Sequence, residues 1–200
     1  PSDAPGHLGK DYTALDEKTI DYIVNCFANA AEMAWLGGVE MVMIHGGHGW
    51  LLHEFLSPLN NHRTDKFGGS LENRARISLT HPDQILMVVD AIRRRCPELL
   101  IEFRLSGSEL VEGGLTIDDQ VEFAKLLDGK VDLIHVTAGT FHYPETNQHM
   151  VPSMFHPFGV NVEFAAAIKK AVKTPVAVVG GLDEPELMEQ VLAEGKADII

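Results

Sequence analysis

Short apolar runs rich in Val and Ile recur along the chain, and stretches with apolar residues at helical spacing lie between them. The runs are Val39 to Ile44, Leu99 to Phe103, Val131 to Val136, Pro175 to Val179 and Ala197 to Ile200. Each reads as a strand buried on both faces, the habit of parallel sheets. Thr19 to Leu36 carries Ile20, Ile23, Val24, Phe27, Ala31 and Ala34 at helical spacing, and Gly37-Gly38 ends it. Further helices are expected at Ser70 to Leu79, Ile85 to Arg95, Ile117 to Leu127 and Val162 to Val172, with a last one ending at Ala193. Pro82 breaks the pattern, and Thr80 with Asp83 offers a capping-box-like restart. Thr116 or Asp118 caps the helix from Ile117, and Asp183-x-x-Glu186 caps the last one.

This alternation specifies an α/β fold. A doubly wound open sheet would fit it, but no G-x-G-x-x-G follows any of the runs. A closed TIM (β/α)8 barrel fits better and needs about 250 residues. The chain has 200 residues and stops inside its last apolar run. We therefore expect residues 1–200 to be the central to C-terminal part of one barrel. That fragment has about five βα units and lacks the first strands and the end of the last.

The formal net charge of −13 repels phosphate backbones, so nucleic acid is an unsuitable partner. No apolar run is long enough to span a membrane, and Pro1-Ser2-Asp3-Ala4-Pro5 does not read as a signal peptide. A cytoplasmic enzyme acting on a small molecule is expected, with a homo-oligomer left open. Cys26 and Cys96 are far apart and read as buried, reduced thiols. Two cysteines cannot form a four-thiolate iron–sulfur or zinc site.

Chemistry in such a barrel sits at the C-terminal ends of the strands. The exits carry His45 and His48, then Arg104 and Ser106, then Thr137 with His142 and Tyr143, then Gly180 and Gly181. His45-Gly46-Gly47-His48 places two imidazoles on a turn. They could stabilise negative charge on an oxygen, bind a metal, or serve structure alone. Arg104 needs an anion, either a ligand or a structural partner. Gly180-Gly181 is a plausible phosphate cradle, although a tight turn explains it equally well. The loop from Gly139 to Gly159 carries Phe141, His142, Tyr143, His149, Phe155 and His156, and a loop of this length commonly lines a pocket.

The run His45-Gly46-Gly47-His48-Gly49-Trp50-Leu51-Leu52 leads into Phe55-Leu56-Ser57-Pro58, Asn61, Arg63-Thr64-Asp65 and Gly68-Gly69-Ser70-Leu71-Glu72-Asn73-Arg74. With Glu102 to Ser106, Glu112-Gly113-Gly114, His135 to Gly139 and Pro175 to Gly181, it resembles the Old Yellow Enzyme-like FMN oxidoreductases over nearly the whole chain. The resemblance extends to the barrel domain of NADH:flavin oxidoreductases and 2,4-dienoyl-CoA reductases. It implies FMN across the barrel mouth, reduced by NAD(P)H, passing hydride to the β-carbon of an activated alkene. It implies His45 and His48 on the substrate carbonyl, Arg104 at the flavin pyrimidine edge, and Gly180 and Gly181 at the phosphate. It also implies that Arg63, Asp65, Gly68 and Glu72-Asn73-Arg74 are scaffold. Phe103 to Glu109 and Gly139 to Glu145 look closest to large multidomain members, in which a [4Fe–4S] cluster and an FAD domain follow the barrel.

Four departures stand out. Trp50 occupies the place of the family's proton-donating Tyr, which passes that role to His142 or Tyr143. A short insertion falls at Thr80 to Ile85. The opening strands are absent, and the family's Gly-Arg phosphate contact would fall beyond Ile200. The chain by itself is therefore expected to bind FMN poorly and to be inactive. Two alternatives remain: an amine dehydrogenase of the same superfamily, with Trp50, Phe141 and Tyr143 around a cation, and a metal-dependent barrel hydrolase using His45 and His48.

Overall fold

A computed structural model describes residues 1–3, 11–78 and 87–200. The break at Pro82, the restart at Thr80 and Asp83, and the insertion at 80–85 lie outside the described residues. In chain order the elements are α1 (Glu17–Leu36), β1 (Met41–Gly46), α2 (Leu51–Leu56), α3 (Leu71–Ala75), α4 (Val88–Arg95) and β2 (Leu100–Ser106). After them come α5 (Ile117–Leu127), β3 (Leu133–Thr137), α6 (Asn147–Met150), α7 (Val162–Lys169), β4 (Val176–Val178) and α8 (Pro185–Ala193). The chain divides into two compact units, one of Pro1–Val42 with Glu54–Leu100 and one of Met43–His53 with Ile101–Ile200.

In the first unit, the Asp16 side chain accepts from Thr19 N–H and starts α1. The helix buries Ile20, Val24, Ala28 and Ala31, a stripe repeating every three to four residues, and packs on α4. Ser70 caps α3 by accepting from Asn73 N–H, but regular helix ends at Ala75, short of the expected Leu79. Arg63 bonds Asp65 and the carbonyls of Pro1 and Leu15, and Arg74 donates to the carbonyl of Leu56. Both therefore do scaffold work within this unit. Cys96 is buried, whereas Cys26 is exposed, because its position in α1 falls off the buried stripe.

The sheet runs β1-β2-β3-β4, in the same order as the chain. Glu102 to Ser106 pair in parallel with Leu133 to Thr137, and Ile134 to Val136 pair with Val176 to Val178. A fifth segment begins where Val178 N–H donates to Ile199 O at 3.0 Å. Each strand is added beside its predecessor with no reversal, the progression of a barrel wall rather than of a doubly wound sheet.

The two faces of the second unit's sheet differ. Ile101, Phe103, Leu105, Ile134, Val136, Val176 and Val178 are almost fully buried on one side. Phe103 meets Phe123 of α5 edge to face at 5.6 Å, a pair contributing about 0.5–1.5 kcal/mol beyond area burial. Glu102, Arg104, His135 and Thr137 alternate with these residues and point to the other side. Thr116 closes a capping box with Asp119 to start α5, deciding between the two expected caps. The expected Asp183 cap is replaced: Glu184 stands at the N-cap with no side-chain bond, and Pro185, whose φ is pre-set, opens α8. Uniform strand burial also fails in part, since Met43 and Leu100 are exposed.

Candidate active site

Because the strands are parallel, their C-terminal ends line one edge. His45 belongs to β1 itself, so the histidine pair straddles the strand exit rather than sharing a turn. The two imidazoles lie edge to face with centroids 5.1 Å apart. His48 has φ 59°, a left-handed conformation that costs a non-glycine residue about 1–3 kcal/mol. Several bonds hold it there. Its N–H donates to Ser106 Oγ at 3.0 Å, and its carbonyl accepts from Phe141 N–H at 3.1 Å. Ser106 Oγ in turn donates to Gly139 O at 2.9 Å. His48 Nε2 lies 3.0 Å from Thr137 Oγ1. The exits of β1, β2 and β3 therefore fix one imidazole between them.

Burial is the main reason that His48 has its pKa pushed down to about 3, with Arg104 and His45 adding positive charge nearby. His45 is lowered by burial first and by Arg104 second. At neutral pH both rings are uncharged hydrogen-bonding groups beside a guanidinium that remains cationic. The charge interaction of Arg104 with both histidines puts the three side chains in one region of the second unit.

Among the described residues, the buried polar atoms without a partner in this region include His45 Nδ1, Arg104 Nε, His135 Nε2 and Thr140 Oγ1. Unpaired buried donors and acceptors are costly, so their clustering on one sheet face toward the strand exits suits a ligand rich in carbonyls and ring nitrogens. That is the chemistry of an isoalloxazine edge, and FMN fits these residues.

His142 Nε2 lies 3.2 Å from Gly49 O, next to the His48 turn. Tyr143 is half-buried at the start of a 3-10 turn, Pro144–Thr146, and among the described residues its hydroxyl bonds none of His45, His48 or Arg104. The expected long loop thus contains this turn and α6. Gly180 and Gly181 have φ 129° and 62°. A Cβ at Gly180 would come within 2.5 Å of Asn161 Nδ2, and Gly181 O accepts from Gly159 N–H at 2.7 Å. Asn161 is buried and donates to Val179 O and His149 O, closing the turn after β4. The turn alone accounts for both glycines.

Sequence reasoning missed four residues. Glu102 and His135 form a pair beside Arg104, and His53 and Glu109 form another behind His48. The signal for the first was available, since Glu102 and Arg104 lie two apart on a strand and so share a face. The second joins residues 56 positions apart through a loop, and no local pattern announces it.

The parallel sheet, extended strand by strand in chain order, defines the wall of a β/α barrel. The family model for the NADH:flavin oxidoreductase / NADH oxidase family matches residues 3–200, and the chain belongs to that family. It is 38% identical over 202 residues to an NADH oxidase from Thermoanaerobacter brockii, covering 100% of this chain and 30% of that protein. It is 36% identical to an NADPH dehydrogenase from Bacillus subtilis, covering 93% of this chain and 51% of that protein. Among solved structures, histamine dehydrogenase from Rhizobium sp. 4-9 superposes with a TM-score of 0.83 at 28% identity, covering 95% of this chain and 26% of that one. The chain thus spans about a quarter to a half of these relatives' length. The Old Yellow Enzyme-like resemblance and the TIM-barrel class both stand.

Proposed function

We propose that this chain forms part of an FMN-dependent enzyme that reduces the activated C=C bond of an α,β-unsaturated carbonyl or thioester with electrons from NAD(P)H. The observation that supports it most is the neutral imidazole pair of His45 and His48 beside the cationic Arg104. Bound FMN would supply the hydride. The chain's own residues would do the rest. His45 and His48 donate to the substrate oxygen and stabilise the negative charge that grows on it. With Thr137 Oγ–H as the donor across the 3.0 Å contact to His48 Nε2, the imidazole proton would sit on Nδ1 for the substrate. Arg104 contributes fixed positive charge at the ring edge where reduction adds negative charge. Backbone N–H groups at Gly180 and Gly181 would bind a phosphate over the turn. His142, rather than Tyr143, delivers the proton to the α-carbon, because His142 is anchored beside the His48 turn and Trp50 has no acidic proton. An iron–sulfur cluster and an FAD domain elsewhere in the full-length protein would complete a multidomain reductase.

The aromatic pair Trp50 and Phe141, edge to face at 5.5 Å, gives a second reading some footing: amine oxidation in the manner of the histamine dehydrogenase neighbour. A metal-dependent hydrolase does not fit, because the chain belongs to a flavin oxidoreductase family. One experiment tests the proposal. The full-length protein is reduced anaerobically by NADH or NADPH, followed by its visible spectrum, and then reoxidised by enones or incubated oxidised with a tertiary amine. Reoxidation by enones is expected. A colourless protein, or reduction by the amine alone, refutes the ene-reductase reading. Alkene reduction that survives His142→Ala removes His142 from its role.

A further inference from the structure

Two ionisable side chains of the second unit are fully buried and have no part in the chemistry above: His53 in α2, and Glu109, which follows β2. His53 Nδ1 accepts from Gly49 N–H at 2.7 Å. The proton of a neutral ring must then sit on Nε2, which lies 3.5 Å from Glu109 Oε1. The other carboxylate oxygen of Glu109, Oε2, accepts from Leu115 N–H at 2.7 Å. Gly49 itself is tightly placed, with φ 82°. A Cβ there would come within 2.6 Å of Thr140 Oγ1 and 2.8 Å of His142 Cδ2. Its carbonyl meets His142 Nε2.

Hydrogen bonds therefore link His53, Gly49 and His142, the Glu109 carboxylate faces His53 Nε2 across a 3.5 Å contact without hydrogen-bond geometry, and Gly49 directly follows the strained His48. Burying a carboxylate and an imidazole to tie down a helix start is expensive when Ser or Asp does the same task in water. The arrangement makes sense if the turn must be held more rigidly than a helix start requires. We propose that Glu109 and His53 are a positioning pair, which locks the backbone of Gly49 and so keeps His48 aimed and His142 seated. Burial is the first reason that the His53 pKa falls to about 3, so the direction of its hydrogen bonds does not reverse near neutral pH.

The inference rests on the reading of His48 as a substrate donor, and its test keeps the two apart. In the full-length protein, His53→Leu removes the acceptor for Gly49 N–H. His53→Asn restores an acceptor at the place of Nδ1, and Glu109→Gln removes the carboxylate charge. His53→Leu is expected to lower kcat for enone reduction about tenfold or more with KM and flavin content nearly constant, the usual cost of a slightly misplaced donor. His53→Asn should recover most of that loss, and Glu109→Gln should fall between them. Hydrogen exchange of the Gly49 amide supplies a readout independent of turnover. It should be slow in the wild type and His53→Asn and fast in His53→Leu. Should His53→Leu not fold, the Asn and Gln variants carry the same comparison against wild type. Equal exchange at Gly49 in all variants, or unchanged kcat in His53→Leu, overturns the pairing. A wild-type protein that reduces no enone defeats the functional reading alone, while the exchange contrast still decides whether the pair holds the turn.

Discussion

His135 Nδ1 lies 2.5 Å from Glu102 Oε1, on the sheet face that also carries Arg104, the register partner of His135. Burial lowers the His135 pKa, the hydrogen bond and charge of Glu102 oppose that, and Arg104 lowers it further. Removing the carboxylate leaves only the lowering influences. Glu102→Gln is therefore expected to move the His135 titration midpoint downward, followed by histidine NMR against pH. The same change should cost about 1–2 kcal/mol of stability in chemical denaturation, because a charge-assisted bond at a largely buried site is replaced by a weaker one. A midpoint that stays put or rises would show that Glu102 does not hold the His135 proton in place.

Acid should destabilise the fold earlier than carboxylate titration alone predicts. His48 and His53 have folded pKa values of about 3, each lowered chiefly by burial, against about 6.5 in an unfolded chain. Above about pH 6.5 neither state binds the extra protons, and their contribution to stability is fully present. As pH falls from there toward 3, the unfolded chain takes up protons that the folded chain refuses. Stability then drops by up to about 1.4 kcal/mol per pH unit for each histidine. Urea midpoints at pH 7, 6 and 5 measure this. A flat profile between pH 7 and 5 would mean that these imidazoles open to water easily.

Replacing His45 or His48 by Ala separates the half-reactions. Loss of one oxyanion donor typically costs about 10²–10³ in rate. The slowing should fall on flavin reoxidation by an enone, and reduction of the flavin by NAD(P)H should change far less. Stopped-flow traces of each half-reaction in the full-length protein check it. An equal loss in both would place the histidines at the nicotinamide as well as the substrate.

The strand–helix order was legible because each strand's apolar residues must face the helices packed on it, as Phe103 faces Phe123. The residues at the exits were legible for the same reason, since a parallel sheet sends every C-terminal end to one edge. What sequence could not supply was contact across the loops. The bond of His48 to Thr137 joins positions 89 apart, and that of His142 to Gly49 joins positions 93 apart. No periodicity encodes either. The exposure of Cys26 shows the same limit on a smaller scale, since helical spacing places it in α1 but only the packing of α1 on α4 says which face is covered.

Trp50 and Phe141 are 55% and 54% exposed, and the Phe141 ring lies 6.1 Å from the His48 ring. Two half-open aromatic faces beside the donor pair favour a substrate with a flat apolar body extending away from its carbonyl. Covering about 50 Å² of ring surface contributes about 1.2 kcal/mol, or somewhat less than a factor of ten in binding. A substrate of one small ring, held by its oxygen at His45 and His48, would cover less of that surface. Trp50→Ala is therefore expected to lower kcat/KM by several-fold up to about tenfold for a two-ring enone. The same variant should affect a one-ring enone less, with the change appearing in KM rather than kcat. Parallel kinetics with the two substrates decide it. An equal effect on both, or an effect on kcat alone, would mean that Trp50 shapes the His48 turn instead of contacting the substrate.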